Sequence, residues 1–406
     1  MDSTRNPYTP NAGASPESVV GRDEQTRAFQ VLLRRLASGR THQSMIIVGL
    51  RGVGKTVLLT EFREIAQAEH WEIIEFEAIK HDDMRFRQTF AGLLKSALLR
   101  LSPRVRWTEV GKRAAAVITS FGLSVDQQGA WSLSWDVEPA EGFADHGELA
   151  MDLSDALVAV GEAAKERERG VAILVDEVQF LTQAQLEALI QAIHKTVQRK
   201  LPVTFVGAGL PQIAELAGDA KSYAERLFQF PAIDSLNEDD ARLAIVEPAQ
   251  SEDVDWNEDA VDLAIDITRG YPYFIQELGF QVWEIAEQSP ITRPDVEAAR
   301  EAYESKLDGS FFRVRLDRAT PLQTAYMRAM AQLGPGPQKA DAVARLLKRG
   351  STQVGPTRAE LIDMGLLYTS DHGYAAFTVP DFDKFMLRAV PKLEVPELRT
   401  RSRKKK

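Results

Sequence analysis

The residues from Gly49 to Thr56 have types and spacing that point directly to phosphate chemistry. They read GLRGVGKT and fit the pattern G-x-x-x-x-G-K-[S/T] at every required position. Glycines at these positions let successive backbone N–H groups curl around an anion, and a helix that begins there adds favourable partial charge. We expect Lys55 to reach the β- and γ-phosphates of a nucleotide and the Thr56 hydroxyl to complete a Mg²⁺ shell. The residues expected to bind the nucleotide from this loop are Gly49, Leu50, Arg51, Gly52, Val53, Gly54, Lys55, Thr56 and Val57.

A pair of carboxylates, Asp176 and Glu177, directly follows the apolar run 171–175. The length and β-branched content of that run suit a parallel strand buried on both faces. Carboxyl ends of parallel strands face the crevice where ligands bind. We therefore expect Asp176 to hold Mg²⁺ through water and Glu177 to activate the water that attacks in phosphoryl transfer.

The elements that would hold these two motifs alternate between apolar runs and segments of helical periodicity. The runs that suit strands lie at 45–49, 71–76, 171–175, 202–207 and 227–230, with helical segments at about 84–101, 147–166 and 183–199. Strands joined by helical crossovers favour a parallel sheet with helices on both faces. The sequence therefore predicts an α/β fold, a three-layer parallel sheet of the P-loop NTPase type, followed by a purely helical lid.

An alternating stretch interrupts this α/β pattern at about 119–138. Apolar residues alternate with polar ones from Phe121 to Val125 and from Trp131 to Val137, around a glycine-containing turn. Period-two alternation on both sides of such a turn predicts an inserted β-hairpin. Its apolar stripe is explained either by packing against a helix or by contact with a partner, and the sequence leaves both open.

The C-terminal part of the chain combines short helices with a hairpin. Helical segments at 321–333, 340–348 and 352–364 precede two apolar runs on either side of the turn 371–373. This order resembles a winged helix-turn-helix, which we expect at 314–390. The residues that would meet duplex DNA there are Arg358, Lys348 and Arg349. A contact with a protein partner, or a role as a structural lid, explains the same elements, and these alternatives stay open.

Composition narrows the class of protein further. Among 406 residues there is no cysteine, which excludes disulfides and thiolate zinc sites, and the six histidines lack metal-ligand spacing. No apolar run reaches membrane-spanning length, so we expect a cytoplasmic protein with no membrane partner. Residues 319–406 hold 15 Lys and Arg against 8 Asp and Glu, in a chain of net charge −10. The basic end is interpreted either as a disordered tail or as a nucleic-acid arm.

Several motifs together resemble those of one ATPase family. The sequence is similar to AAA+ ATPases of the origin-recognition or initiator type, and to the related signal-transduction ATPases with numerous domains (STAND). The resemblance rests on residues 20–24, 49–56, 175–179, 207–211 and 270–272. It implies a nucleotide-binding domain at 18–234, a lid at 235–310 and a winged helix at 314–390. Composition predicts an extended lead-in at 1–17 and a basic disordered tail at 391–406.

The same resemblance implies ligands and further site residues. The ligands are ATP or ADP with Mg²⁺, and Val20, Gly21 and Pro272 would border the adenine. Arg226 would act as a finger that stabilises charge on the nucleotide of a neighbouring subunit, which implies a homo-oligomer. An ordinary surface ion pair is the alternative role for Arg226.

Two departures from the family pattern bear on the rate of hydrolysis. The fourth strand ends in 207–209 without a polar side chain to sense the γ-phosphate, and the lid carries 270–272 where many members place an arginine. The leading hypothesis is an ATPase that couples ATP binding and hydrolysis to rearrangement of the lid and winged helix. The alternatives are an ATP-gated signalling switch or scaffold with slow turnover, and an ATP-binding regulator that binds DNA through the winged helix.

Overall fold

A parallel sheet of five strands forms the centre of the N-terminal part of the molecule. The computed structural model describes residues 1–11, 13–14, 16, 19–80, 82–101, 108–123 and 137–397. The strands are β1 (Ser44–Val48), β2 (Glu72–Glu77), β3 (Val171–Asp176), β4 (Val203–Gly209) and β5 (Phe228–Gln229), in the order β2-β3-β4-β1-β5. Each lies within a few residues of a predicted strand, so the prediction of a P-loop NTPase sheet is confirmed.

The register of the sheet brings the two sequence motifs to one edge. Strand β4 lies between β1 and β3, with Val48 opposite Gly209 and Val175 opposite Gly207. The carboxyl ends of β1 and β3 are therefore one strand apart. The phosphate loop leaves from the first end, and the Asp176–Glu177 pair leaves from the second.

Helices cover both faces of this sheet, as the sequence predicts. They are α1 (Asp23–Ala37), α2 (Lys55–Ala68), α3 (Asp83–Leu101), α4 (Glu109–Leu123), α5 (Leu149–Glu166), α6 (Gln183–Gln198), α7 (Ile213–Ala220) and α8 (Ala224–Leu227). On one face, Phe29 of α1 stacks on Phe62 of α2 with ring centroids 4.3 Å apart. Over the described ranges, no helix is both long enough and apolar enough to cross a bilayer.

The first arm of the predicted hairpin is wrong, because the chain is helical there. Helix α4 continues through Phe121 to Leu123. Ala114, Ile118 and Phe121 recur at helical spacing and are almost fully buried, so burial of that face outweighs the short alternation. The remainder of the predicted hairpin, with Trp131 and Trp135, lies outside the described residues.

A helical region, which we refer to as the lid, follows the sheet domain and carries the N-terminal segment on its surface. The lid helices are α9 (Glu238–Ser251), α10 (Glu258–Thr268), α11 (Pro272–Ile285) and α12 (Arg293–Lys306). The buried Tyr8 hydroxyl donates to the Ile245 carbonyl at 2.5 Å and accepts from Trp256 Nε1 at 3.0 Å. Gly279 lets the Tyr8 ring lie against α11, since a Cβ there would overlap the ring. The segment predicted as a lead-in is thus docked on the lid.

The C-terminal module, residues 313–389, joins the lid through one turn of π-helix, Leu307–Phe312. Its elements are α13 (Arg313–Leu316), α14 (Pro321–Leu333), β6 (Gln338–Lys339), α15 (Ala340–Leu346), α16 (Ser351–Asp363), β7 (Leu367–Asp371), β8 (Tyr374–Phe377) and α17 (Phe382–Ala389). The three expected helices and the hairpin are present, while the identification as a winged helix stays a prediction. One buried apolar cluster runs from the sheet domain through the lid into this module.

Candidate active site

The phosphate loop has backbone geometry that depends on its glycines. Gly52 and Gly54 have φ values of 88° and 93°, in the left-handed region that glycine adopts without strain. At Gly49 a Cβ would lie 2.5 Å from the Ile233 carbonyl oxygen, so a side chain does not fit there. Helix α2 begins directly after Gly54, and its N-terminus therefore points into the loop. This arrangement is suited to holding phosphate.

Lys55 is buried beneath this loop. Its Nζ donates to the Gly49 carbonyl at 3.0 Å and to the Leu50 carbonyl at 2.8 Å. Burial lowers the pKa of Lys55, while the nearby charges of Glu177 and Asp176 act in the opposite direction. The ammonium group is thus kept at the loop by two neutral acceptors, which an anionic ligand can replace.

Thr56 and Asp176 meet across the carboxyl ends of β1 and β3. The Thr56 hydroxyl donates to Asp176 Oδ2 at 2.6 Å. A hydroxyl and a carboxylate are the oxygen ligands that suit Mg²⁺, which usually keeps several waters and phosphate oxygens in its shell. The described residues contain no cluster of three or more His, Cys, Asp or Glu that could hold a metal alone. The pair therefore fits a Mg²⁺ ion that arrives with nucleotide phosphates.

Glu177 is held in an uncommon backbone conformation by its neighbours. Its φ is 53°, a left-handed value that is costly for a residue other than glycine. Its N–H donates to Asp176 Oδ1 at 2.8 Å, Gln179 Nε2 donates to its Oε2, and Arg51 Nη2 lies 3.9 Å from its Oε1. These contacts fix the carboxylate beside the loop.

Gln179 is a site residue that sequence reasoning missed. Besides bonding Glu177, its Oε1 accepts the Leu210 N–H at 3.1 Å, at the end of β4. A Cβ on Gly209 would lie 2.8 Å from that same oxygen. The amide therefore occupies the place where β4 supplies no polar side chain of its own. The signal in the sequence was the polar residue two positions after Glu177, together with a glycine at the strand end.

A cavity of about 420 Å³ adjoins the loop, within the usual size range for a small-molecule site. Of the predicted nucleotide-binding residues, it is lined by Val20, Arg51, Gly52, Val53, Gly54, Lys55, Thr56, Val57 and Pro272, together with Asp176 and Glu177. Gly49 and Leu50 contact the cavity-lining Lys55 through their carbonyls. Gly21 follows Val20 in the chain, with a φ of 69° and no room for a Cβ beside Asp240. The structure thus brings this predicted set together.

The wall of the cavity includes residues that the sequence did not indicate. Thr9 and Asn11 line it from the docked N-terminal segment, and Phe311 and Arg315 line it from the junction with the C-terminal module. The Thr9 hydroxyl is buried without a hydrogen-bond partner among the described residues. No local pattern marks these positions, since their place depends on how distant segments pack.

The lid and the C-terminal module both bind the backbone of the phosphate loop. The Arg51 N–H donates to the Thr378 carbonyl at 3.1 Å, and the Tyr271 hydroxyl donates to the Arg51 carbonyl. The Tyr273 N–H donates to the Gly52 carbonyl at 3.1 Å. Three parts of the molecule therefore meet at two adjacent loop residues.

The remaining predicted residues lie away from the cavity. Arg226 is exposed on the short helix α8, outside the cavity lining. In the C-terminal module, Arg358 Nη2 donates to the Tyr374 carbonyl at 2.6 Å, and Arg349 Nη2 donates to the Pro396 carbonyl at 2.5 Å. Lys348 is exposed. The two arginines are therefore engaged by the chain itself, and Lys348 is presented to solvent.

Comparisons with known proteins bear on both parts of the chain. A family model described as an AAA ATPase domain matches residues 18–206. A second, described as Domain of unknown function (DUF8462), matches residues 309–386. A search of curated proteins found no significant match.

Several solved structures align with most of this chain. The Walker-type ATPase of Pyrococcus abyssi is similar at TM-score 0.57 and 15% identity, covering 92% of this chain and 97% of that chain. The Orc1 protein of Aeropyrum pernix, solved in complex with DNA, aligns at TM-score 0.46 and 14% identity over 95% and 96% of the two chains. The RuvB Holliday junction branch migration motor of Thermotoga maritima aligns at 0.44 and 16% over 97% and 99%. Of these three structures, only the Walker-type ATPase has a TM-score above 0.5, so it alone supports the fold.

The family match and the geometry agree on what the N-terminal part of the chain is. Residues 18–206 include the phosphate loop, Asp176 and Glu177, and they match as one ATPase domain. The sheet that carries them has the fold of a Walker-type ATPase. The relation to the STAND group has no support in these comparisons. Residues 18–206 thus form a domain similar to the AAA ATPases, with the fold of a Walker-type ATPase.

Proposed function

We propose that this ATPase uses Mg²⁺-ATP to set the arrangement of its lid and C-terminal module. The observation that carries the proposal is the meeting of three parts of the molecule at Arg51 and Gly52. Thr378, Tyr271 and Tyr273 all hydrogen-bond to the backbone of these two residues. A ligand that reshapes the phosphate loop must therefore alter bonds to the lid and the C-terminal module.

The residues of the loop and of β3 have distinct parts in this proposal. Lys55 exchanges the Gly49 and Leu50 carbonyls for phosphate oxygens, because a buried ammonium group gains more from an anion than from neutral acceptors. Thr56 and Asp176 hold Mg²⁺, which neutralises charge on the phosphates when bound. Glu177 accepts the proton of the attacking water.

A pair of labels tests the coupling directly. Because the chain has no cysteine, Gln67→Cys in α2 and Ser370→Cys in β7 give two unique attachment sites on exposed positions. We expect the distance between the labels to shift when ATP is added and to stay at its nucleotide-free value in Lys55→Ala. An unchanged distance in protein shown to be saturated with ATP would contradict the proposal.

A slow switch is the second candidate, and one feature of the site favours it. Lys55 and Thr56 each have a partner within the protein, so ATP and Mg²⁺ must displace those contacts before they are held. Nucleotide that stays bound to the protein through gel filtration, together with slow ATP hydrolysis, would identify the switch. Rapid multiple turnover that is lost in Glu177→Gln would identify the coupled ATPase.

The two proposals about macromolecular partners have different support. Arg226 is exposed and lies outside the cavity of its own chain, so a finger role requires a second copy. Measurement of the particle mass with and without ATP tests that assembly. A DNA-binding role has less support, because Arg358 and Arg349 are bonded to carbonyls of this chain.

A further inference from the structure

Arg315 is a cation in the wall of the nucleotide cavity that no sequence motif accounts for. It lies on α13, the first helix of the C-terminal module, and lines the same cavity as Lys55. Its guanidinium carbon lies 4.1 Å from the centre of the Phe311 ring. That ring in turn stacks on Tyr273 of the lid, with centroids 4.3 Å apart. The Arg315 side chain thus packs on the Phe311 ring, which holds it in a fixed position in the cavity wall.

The charge of Arg315 has no carboxylate partner among the described residues. The only hydrogen bond that its guanidinium makes there is to the Phe311 carbonyl. Burial lowers the pKa of Arg315 to about 10, and the positive charge of Arg51 acts in the same direction. A half-buried guanidinium beside a second cation is costly unless an anion joins them.

The acidic residues of the cavity are directed elsewhere. Asp176 accepts from Thr56, and Glu177 accepts from Gln179 with Arg51 beside it. The side of the cavity near Arg51 and Arg315 therefore has an excess of positive charge. A nucleotide phosphate is the anion that an ATP-binding cavity would bring to that side.

We propose that Arg315 binds the terminal phosphate of ATP and so makes the C-terminal module part of the nucleotide site. This inference depends on the proposed function, because it assumes that ATP occupies the cavity. Arg51, whose charge acts on Arg315, lies 3.9 Å from Glu177, the carboxylate to which the proposed function assigns the attacking water. Arg315 is accordingly at the γ-phosphate end of the cavity, where its planar fork can bind two phosphate oxygens.

This contact gives a physical route from nucleotide state to the C-terminal module. The match to the domain of unknown function begins at residue 309 and includes both Phe311 and Arg315. Loss of the γ-phosphate would leave Arg315 without its anion while the base and the remaining phosphates stay bound. The module would then distinguish ATP from ADP through one side chain.

The test compares Arg315→Met with Arg313→Met, an exposed arginine on the same helix that does not line the cavity. Equilibrium binding of ATP and of ADP is measured for both variants and for the wild type. We expect Arg315→Met to weaken ATP binding by about 10- to 100-fold, the range for a charge-assisted hydrogen bond, and to change ADP binding by less than about 3-fold. Arg313→Met should match the wild type with both nucleotides.

The outcomes separate this inference from the proposed function. A wild type that binds no ATP refutes the proposed function itself. A wild type that binds ATP, with Arg315→Met indistinguishable from Arg313→Met, refutes the role of Arg315 alone. Equal weakening of ATP and ADP refutes its placement at the terminal phosphate.

A second variant covers the case in which Arg315→Met fails to fold. Arg315→Lys keeps the positive charge and most of the aliphatic stem but loses the planar fork. We expect it to fold and to show a smaller preference for ATP over ADP than the wild type. A preference equal to that of the wild type would overturn the two-oxygen contact.

Discussion

Replacing Gln179 with leucine removes the amide that links Glu177 to the end of β4. In the structure Gln179 Nε2 donates to Glu177 Oε2, and its Oε1 accepts the Leu210 N–H at 3.1 Å. Leucine has a similar volume and no polar atom, so the substitution removes the link with little change in packing. We predict that Gln179→Leu lowers kcat and leaves the affinity for ATP unchanged.

The size of the effect follows from the kind of bond that is lost. A hydrogen bond to a charged group contributes roughly 1.5–3 kcal/mol. If the whole of this free energy stabilises the transition state by orienting Glu177, its loss lowers kcat by roughly 10- to 100-fold, because about 1.36 kcal/mol of activation free energy corresponds to a tenfold change in rate. The ATP affinity of Gln179→Leu should stay within about 3-fold of the wild-type value, because Gln179 does not line the cavity.

Single-turnover hydrolysis with the enzyme in excess measures this step apart from product release. The matched control is Gln183→Leu, since Gln183 is exposed and also donates to a glutamate, Glu187, at 3.1 Å. Gly209→Ala gives an independent check, because its Cβ would lie 2.8 Å from Gln179 Oε1 and displace the amide. We expect Gly209→Ala to resemble Gln179→Leu and Gln183→Leu to resemble the wild type.

An unchanged or higher kcat in Gln179→Leu, in protein that still binds ATP, would refute the positioning role. A higher rate would mean instead that Gln179 restrains Glu177 from the attacking water. A fall in both kcat and ATP affinity would indicate a general disturbance of the loop. Only a fall in kcat with unchanged ATP affinity supports the positioning of Glu177 by Gln179.

Two further predictions concern stability. Tyr8→Phe removes the hydroxyl shared by Ile245 and Trp256, so the free energy of unfolding in urea should fall by about 1–3 kcal/mol. A value equal to that of Tyr374→Phe, at a half-buried tyrosine of the C-terminal module, would contradict docking of the segment on the lid. The pKa of Lys55 is lower in the folded protein than the 10.5 of the unfolded chain, so between these two pH values the unfolded chain binds more protons. In that pH range the free energy of unfolding should therefore rise with pH relative to Lys55→Met. A Lys55→Met curve parallel to that of the wild type would contradict this.

Part of the fold was predictable because it depends on local patterns. The strands β1, β3 and β4 are short, continuous apolar runs, and such runs are buried on both faces of a parallel sheet. The loop between β1 and α2 needs glycines at fixed positions, so its sequence is restricted wherever it occurs. Helix α4 was not predicted, because the alternation at 119–123 resembles a strand and the buried helical face is evident only over the longer span from Ala114 to Phe121.

Other parts of the site could not be predicted, since they depend on contacts between residues far apart in sequence. The hydroxyl of Tyr271 bonds Arg51 from 220 positions away, and Tyr8 bonds Ile245 from 237. A polar residue such as Gln179 follows many strands, and only the packing against Gly209 shows what this one touches. The nature of each contact became visible only in the folded chain.

The sequence by itself determined that this protein has a phosphate-binding loop and a strand-end carboxylate pair at the same edge of a parallel sheet. Those groups are neighbours along the chain or lie at the ends of strands, and backbone geometry restricts which residues can serve there. Only the tertiary structure decided that the lid, the N-terminal segment and the C-terminal module close around the same cavity. Burial of the shared apolar cluster brings them there, and that cluster depends on packing over the whole chain rather than on any local motif.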